Sequence, residues 1–383
     1  MTFSFRKKET PAKPVQPKGP AREWVDAIVF AVLAATLIRW ATFEAYTIPT
    51  PSMENSLLVG DYLFVSKLHY GPTTPVTPLQ LPLTHQTIPG TSIPSYSDAI
   101  QLPQWRLPGF SHVQSGDVVV FHVPTESQYP PDLRTNYIKR CIAVAGDEFE
   151  IKRRQVYLNG QPMVNPPEMQ YAYLVRGTSV LNEETFQQRG IQEPQAEMGG
   201  YIVHCAPKVA KELKALPFVQ HVDLVSAFTD SLGVADPRIF PNNPDANTFD
   251  PKAPPKVVVN WNKDNFGPIR IPKKGETVQL TAATVPLYLK IVLRYEDNPD
   301  VTFGADGLLH NADGSVLTSY TFRQDYYWMM GDNRHNSEDS RFWGFVPEEQ
   351  VVGKAVFIWM SSNPHPEQGG SRIRWNRLFS LIR

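Results

Sequence analysis

Ser52 stands in the stretch Ile48-Pro49-Thr50-Pro51-Ser52-Met53-Glu54-Asn55, and Lys139 in the run Tyr137-Ile138-Lys139-Arg140-Cys141-Ile142-Ala143-Val144. A hydroxyl between two prolines sits on stiff, extended backbone, which is either simple turn chemistry or a nucleophile held at a fixed angle. On a strand, alternation puts Tyr137, Lys139 and Cys141 on one face and Ile138, Arg140 and Ile142 on the other. If the lysine face is buried, lost hydration lowers the amine pKa by as much as about 3–5 units. A neutral amine can then take the proton of a serine hydroxyl. A solvated surface lysine is the commonplace alternative. The nine histidines are scattered with no HExxH or paired spacing, so a metal hydrolase has little support. No GxSxG elbow and no SxxK motif occurs around the plausible serines, and neither a phosphate-binding loop nor a dinucleotide fingerprint is present.

The 383-residue chain is long enough for a sizeable core and more than one domain. Its 37 basic and 38 acidic residues leave a formal charge of −1, which gives nucleic acid no general foothold. Cys141 and Cys205 form neither a disulfide framework nor a zinc cluster. Thirty-six prolines disfavour long helices and lean the fold toward β.

One segment is an exception. After a basic tail carrying Arg6, Lys7, Lys8, Lys13, Lys18 and Arg22 comes WVDAIVFAVLAATLIRWATF, whose uncharged part, 27–38, is shorter than the roughly 20 residues a bilayer span needs. The span therefore includes its flanks, with Trp24 and Trp40 as interfacial anchors and Asp26 and Arg39 near its two ends. A cleavable signal peptide has the same outline, but no small-x-small site follows in WATFEAYT, so the reading is a retained anchor. Basic residues ahead of the span put the N-terminus in the cytoplasm and everything from about residue 45 outside it, with Ser52 emerging at the outer membrane surface.

DYLFVSKLHYG, SGDVVVFHV, YIKRCIAV and DEFEIKRRQVYLNGQPM read as strands, Asn159-Gly160 closing a hairpin, so an antiparallel β core is expected. Residues 71–110, with eight prolines, read as one long loop whose apolar residues either meet the membrane interface or pack on the domain. APKVAKELKAL reads as a helix, DPRIFPNNPDANTFDPKAPPK as a connector, and IPKKGETVQLT and LYLKIVLRYE as strand-like. YYWMMGD and GFVPEEQVVGKAVFIWM close the β core. The resulting division is a disordered basic tail over 1–23, an anchor over 24–45, a β core over 46–162 and 321–361, an inserted domain over 163–320 and a tail over 362–383.

Four stretches taken together resemble bacterial type I signal peptidases, the Ser-Lys serine proteases also called leader peptidases. IPTPSMENSL is similar to the family's nucleophile box, SGDVVVF to the strand after it, YIKRCIAVAGD to its lysine box and GDNRHNSEDSRFWGFV to its long C-terminal signature. The order and the preceding anchor match as well. The resemblance covers residues 24–68, 113–162 and 326–361, and it departs in two places. Asn55 stands where the family usually has proline, and Ala145-Gly146-Asp147 replaces the usual Pro-Gly-Asp.

The resemblance implies a mainly β fold, an antiparallel catalytic sheet with a large inserted α+β domain and one N-terminal transmembrane helix. It also implies removal of N-terminal signal peptides after small-x-small motifs, with no cofactor and no metal. Ser52 would be the nucleophile and Lys139 the general base and acid, with the Ser52 N–H and the Thr50 hydroxyl meeting the oxyanion. Ser337 would orient the base amine. Asp332, Asp339 and Arg341 would hold the loop, while Ile48, Met53, Leu57, Tyr137 and Ile138 would line shallow pockets for small side chains. The implied partners are preproteins, membrane lipids and the secretion translocon, not nucleic acid. The implied location is the inner (plasma) membrane, with the catalytic part on the periplasmic side.

Overall fold

The computed structural model describes residues 19–126, 128–178, 180–197, 199–225, 235–242, 259–364, 366 and 371–382. Most of the expected basic tail, and much of the connector after residue 235, lie outside the described residues.

Helix α1 spans Pro20–Ala41, starting on a proline already fixed at a helical φ. It is 22 residues long with mean hydropathy 1.7 in its most apolar stretch, and none of its residues is buried by the rest of the chain. Such a helix is long and apolar enough to cross a membrane. It stops at Ala41, so residues 43–45, expected to close the anchor, already belong to a strand paired with residues 64–66.

The chain is mainly β, and its centre is one antiparallel sheet. Four of its strands are β1 (Phe43–Thr47), β2 (Asp61–Ser66), β3 (Val118–His122) and β4 (Asn136–Ala143). The spatial order is β1, β2, Val351–Ser361, β3, β4, Tyr326–Met330 and Val346–Pro347, and Ser380–Leu381 pairs with Val351–Ser361. The strand Val351–Ser361 thus bridges two parts of the chain that are far apart in sequence. The uninterrupted apolar run of β3 follows from burial on both faces. Val118 and Val120 join Ile48, Met53, Leu57, Leu63 and Val65 in one cluster, while Val119 and Phe121 join Cys141, Met329 and Trp343 in another.

The expected 163–320 insert holds two packing units. Strands Tyr171–Gly177, Gln195–Glu197, Gly200–Cys205 and Val219–Leu224 form a satellite sheet over their own apolar cluster, with the expected helix at Pro207–Lys214 against it. Residues from 239 to 322 instead share a cluster with Phe149, Ile151, Trp328 and Phe345 of the central body. One expected strand is a helix: LYLKIVLRYE lies in an α-helix, Val285–Lys290, that runs on as a wider π turn over Ile291–Tyr295. Thr284, at the helix entry, donates its Oγ1 proton to the Gln279 carbonyl, and Val285, Tyr288, Leu289 and Val292 are all buried. With apolar side chains on nearly every side, the segment carries no helical period in its hydropathy.

Residues 71–110 are irregular, held by isolated bridges between Thr73 and Arg106, Gln80 and Tyr96, and Thr87 and Pro94.

Candidate active site

The chain leaves β1 at Thr47, passes Ile48 and turns in a short 3-10 helix, Pro51–Met53. Thr50 precedes that turn in extended conformation, and its exposed side chain takes no part in capping. Ser52 is therefore presented by a turn whose entry is stiffened by prolines on both sides of Thr50. Asn55 follows with φ 68. That left-handed conformation suits asparagine and is closed to proline, whose ring holds φ near −65°. The residue that departs from the family's usual proline thus sits in a conformation that proline cannot adopt. At the second departure, Gly146 keeps φ 92 in a turn where Gly146 N–H donates to the Ile271 carbonyl.

Lys139 lies on β4 opposite Val119. Its Nζ donates to Ser52 Oγ at 2.8 Å and to the Ile138 carbonyl at 3.2 Å, and stands 5.3 Å from the Tyr137 ring centre. Ser52 and Lys139 are 9% and 4% exposed. Burial lowers the Lys139 amine to about 8, against a partial restoring pull from Asp339, Glu338 and Asp332. A hydroxyl and a partly neutral amine in hydrogen-bond contact can pass a proton from oxygen to nitrogen.

The loop after strand Tyr326–Met330 backs this pair. Asn333 N–H donates to the Ser52 carbonyl at 3.1 Å, and Asn333 Nδ2 donates to the Pro51 carbonyl at 3.2 Å. Gly331 packs so tightly that a Cβ there would collide with the Ser337 side chain and the Ser52 carbonyl oxygen. Two buried ion pairs fix the loop. Asp332 takes Arg140 Nη2 at 2.6 Å and accepts from Ser56 Oγ at 2.5 Å, joining β4 to the nucleophile segment. Asp339 takes Arg341 Nη2 at 2.7 Å and accepts from Gly331 N–H at 3.0 Å. Burial works to raise the Asp339 carboxyl, but the Arg341 charge and hydrogen bonds prevail and hold it below the usual range.

Ser337 is buried beside the Asp339 carboxylate, and its Oγ makes no hydrogen bond of good geometry to it or to Lys139. Ile48, Met53 and Leu57, expected to line pockets, are at most 3% exposed inside one apolar cluster. Ile138 packs against that cluster and the half-buried Tyr137 against the opposite one. Among the described residues no group of three or more His, Cys, Asp or Glu is arranged to hold a metal.

Several participants escaped the sequence reading. Alternation puts Arg140 on the face opposite Lys139 and names no partner for it; a buried arginine requires a carboxylate, and Asp332 supplies it. His204, on the satellite sheet, has Nδ1 3.1 Å from Asn333 Oδ1. Since Asn333 spends its amide N–H on Pro51, His204 is the donor, and no local pattern links positions so far apart. Glu54 sits two residues from Ser52 at 8% exposure, its carboxyl pushed up to about 7 by burial and then by Glu193.

The model of the family described as signal peptidase, peptidase S26, matches residues 21–203 and 290–360. The chain is similar to the signal peptidase I of Buchnera aphidicola subsp. Acyrthosiphon pisum, 25% identical over 352 residues that make up 91% of this chain and 78% of that protein. It is similar too to the signal peptidase I of Haemophilus influenzae, 24% identical over 96% of this chain and 78% of that protein, and of Aquifex aeolicus, 24% identical over 89% and 84%. With the family match running through both halves of the central sheet, the chain belongs to the signal peptidase family, peptidase S26, and is a peptidase.

Proposed function

We propose that this protein removes signal peptides from preproteins at a membrane surface, Ser52 attacking the scissile carbonyl and Lys139 serving first as base, then as acid toward the leaving amine. The observation that carries the reading is the 2.8 Å contact between a buried amine held near pKa 8 and the one hydroxyl on the turn that follows the anchor helix. The backbone N–H of Ser52 and the uncommitted hydroxyl of Thr50 receive the oxyanion. Ser337 completes the environment of the amine once substrate is bound. Asp332, Asp339 and Arg341 keep the backing loop still, and they do so at a distance from substrate.

Cleavage after small-x-small motifs is supported by the closed packing of Ile48, Met53 and Leu57, with Tyr137 and Ile138 half-buried beside the pair. Only small side chains fit against walls that are already filled. Helix α1 crosses the membrane with its N-terminus in the cytoplasm and the catalytic sheet outside. The exposed Leu81, Leu83, Ile93, Ile100 and Trp105 of the 71–110 segment face lipid, and substrates arrive from the secretion translocon.

The test incubates the detergent-solubilised protein with a preprotein and compares wild type with Ser52→Ala and Lys139→Ala. Both variants lose cleavage; cleavage that survives Ser52→Ala would sink the mechanism.

A further inference from the structure

The join between α1 and the sheet is short and bonded on every side. Thr42 alone separates the helix from β1; its N–H closes the helix on Ile38, and its carbonyl accepts from Lys67 N–H at 2.8 Å. Trp40 Nε1 donates to the Thr73 carbonyl at 2.8 Å, fastening the last helical turn to the body. At the centre is Glu44 on β1, 8% exposed. Its Oε1 receives Arg39 of the helix at 2.5 Å, and its Oε2 receives Lys67 Nζ at 2.8 Å. Burial works to raise this carboxyl, but the charges of Lys67 and Arg39 prevail and hold it below its ordinary range, so it stays ionised between them. From β1 the chain needs only Ile48 to Pro51 to reach Ser52, and Ile48 N–H is itself bonded to the Asp61 carbonyl.

Such a join leaves no slack. A linker meant to swing carries glycine or serine and free backbone; here one residue is bonded in both directions and a buried carboxylate holds one cation from the helix and one from the residue just after β2. Removing that carboxylate leaves Arg39 and Lys67 as neighbouring like charges without their shared partner, which loosens the helix on the sheet. We infer that Glu44 is a positioning residue: it locks α1 to β1 so that Ser52 stands at one height above the bilayer, and the enzyme thereby selects which of several cleavable bonds in a membrane-inserted preprotein is cut. The inference rests on the proposed function. An extended substrate advances about 3.3 Å per residue, so a few ångströms of slack at the join is enough to bring the next bond to Ser52.

The experiment uses the full-length protein in lipid vesicles and a preprotein with two overlapping small-x-small sites one residue apart, the products being read by mass spectrometry. The variants are Glu44→Ala, Glu44→Asp and a Gly-Ser insertion between Thr42 and Phe43. A soluble peptide with a single site is cleaved in parallel. Wild type cuts one of the two sites predominantly. Glu44→Ala and the insertion shift the site ratio by about tenfold while the soluble peptide is cleaved within twofold of wild type, and Glu44→Asp, which keeps the charge, moves back toward the wild-type ratio. An unchanged ratio in a Glu44→Ala protein that still cleaves the peptide overturns the inference, whatever the insertion does. Should Glu44→Ala fail to cleave even the peptide, the insertion decides alone by the same ratio. Failure of wild type on the soluble peptide overturns the proposed function instead, and the inference with it.

Discussion

Lys139 and Lys290 are hidden to the same degree, 4% and 5% exposed, and burial is the first cause that lowers both amines, to about 8 and about 7. Their surroundings differ. Around Lys139 the carboxylates of Asp339, Glu338 and Asp332 pull the pKa part of the way back, whereas Arg294 pushes Lys290 further down. Lys139 touches a hydroxyl; Lys290 Nζ touches the Trp343 carbonyl at 3.3 Å and lies 5.8 Å from the Tyr295 ring centre. A carbonyl oxygen has no proton to give. Burial by itself makes a lysine neutral, and a base is made only where the neutral amine meets a group with a removable proton.

The sharpest way to break this contrast is to delete each amine. Lys139→Ala lowers preprotein cleavage by about 10³-fold or more, in the upper range for a general acid–base residue, while Lys290→Met stays within about threefold of wild type. Comparable losses in both would show that burial, not the serine contact, is what matters.

Stability moves in the opposite sense. Lys290 titrates near 7 when folded and near 10.4 when unfolded, so below 7 both states are charged and the native state bears the full cost of burial. Between these values the unfolded chain binds more protons, and stability rises with pH. Lys290→Met therefore stabilises by about 2–4 kcal/mol at pH 6, and the gain fades as the pH approaches 10. Urea unfolding at the two pH values measures it; an equal gain at both would mean that the charge is not the cause.

A smaller effect lies in the rate profile. With the neutral amine as the active form, kcat/KM rises with pH through about 8 and then levels. Lys290→Met leaves that midpoint in place, and a midpoint that follows Lys290 toward 7 would reverse the assignment. The smallest effect probes the nucleophile's own turn. Asn55→Gly keeps φ 68 accessible and changes stability by less than about 0.5 kcal/mol, whereas Asn55→Ala costs about 1–2 kcal/mol, read from thermal melts.

What the sequence revealed follows from how local each signal is. β2, β3 and β4 stood out because their β-branched and aromatic runs end at turn residues, and the Asn159-Gly160 turn did so because both residues take positive φ. Ser52 and Lys139 were conspicuous as polar groups in stiff or apolar settings. The segment holding Lys290 was misread as a strand, since a helix buried all round shows no amphipathic period. The Arg140–Asp332 pair and the His204–Asn333 contact were invisible because each joins residues more than a hundred positions apart. Pairing across such distances is set by how the sheet packs and not by any local preference.

The satellite sheet, and Gln170 that leads into it, bond the loop that backs Ser52. His204 bonds Asn333, Gln170 N–H donates to the Asp332 carbonyl at 2.9 Å, and Ala172 N–H donates to His335 Nδ1 at 3.3 Å. An engineer trimming this chain to a minimal protease would see residues 171–224 as dispensable ornament with its own small core. Excising them would strip the rear support from the active-site loop, so the shortest workable version of this enzyme is longer than its central sheet suggests.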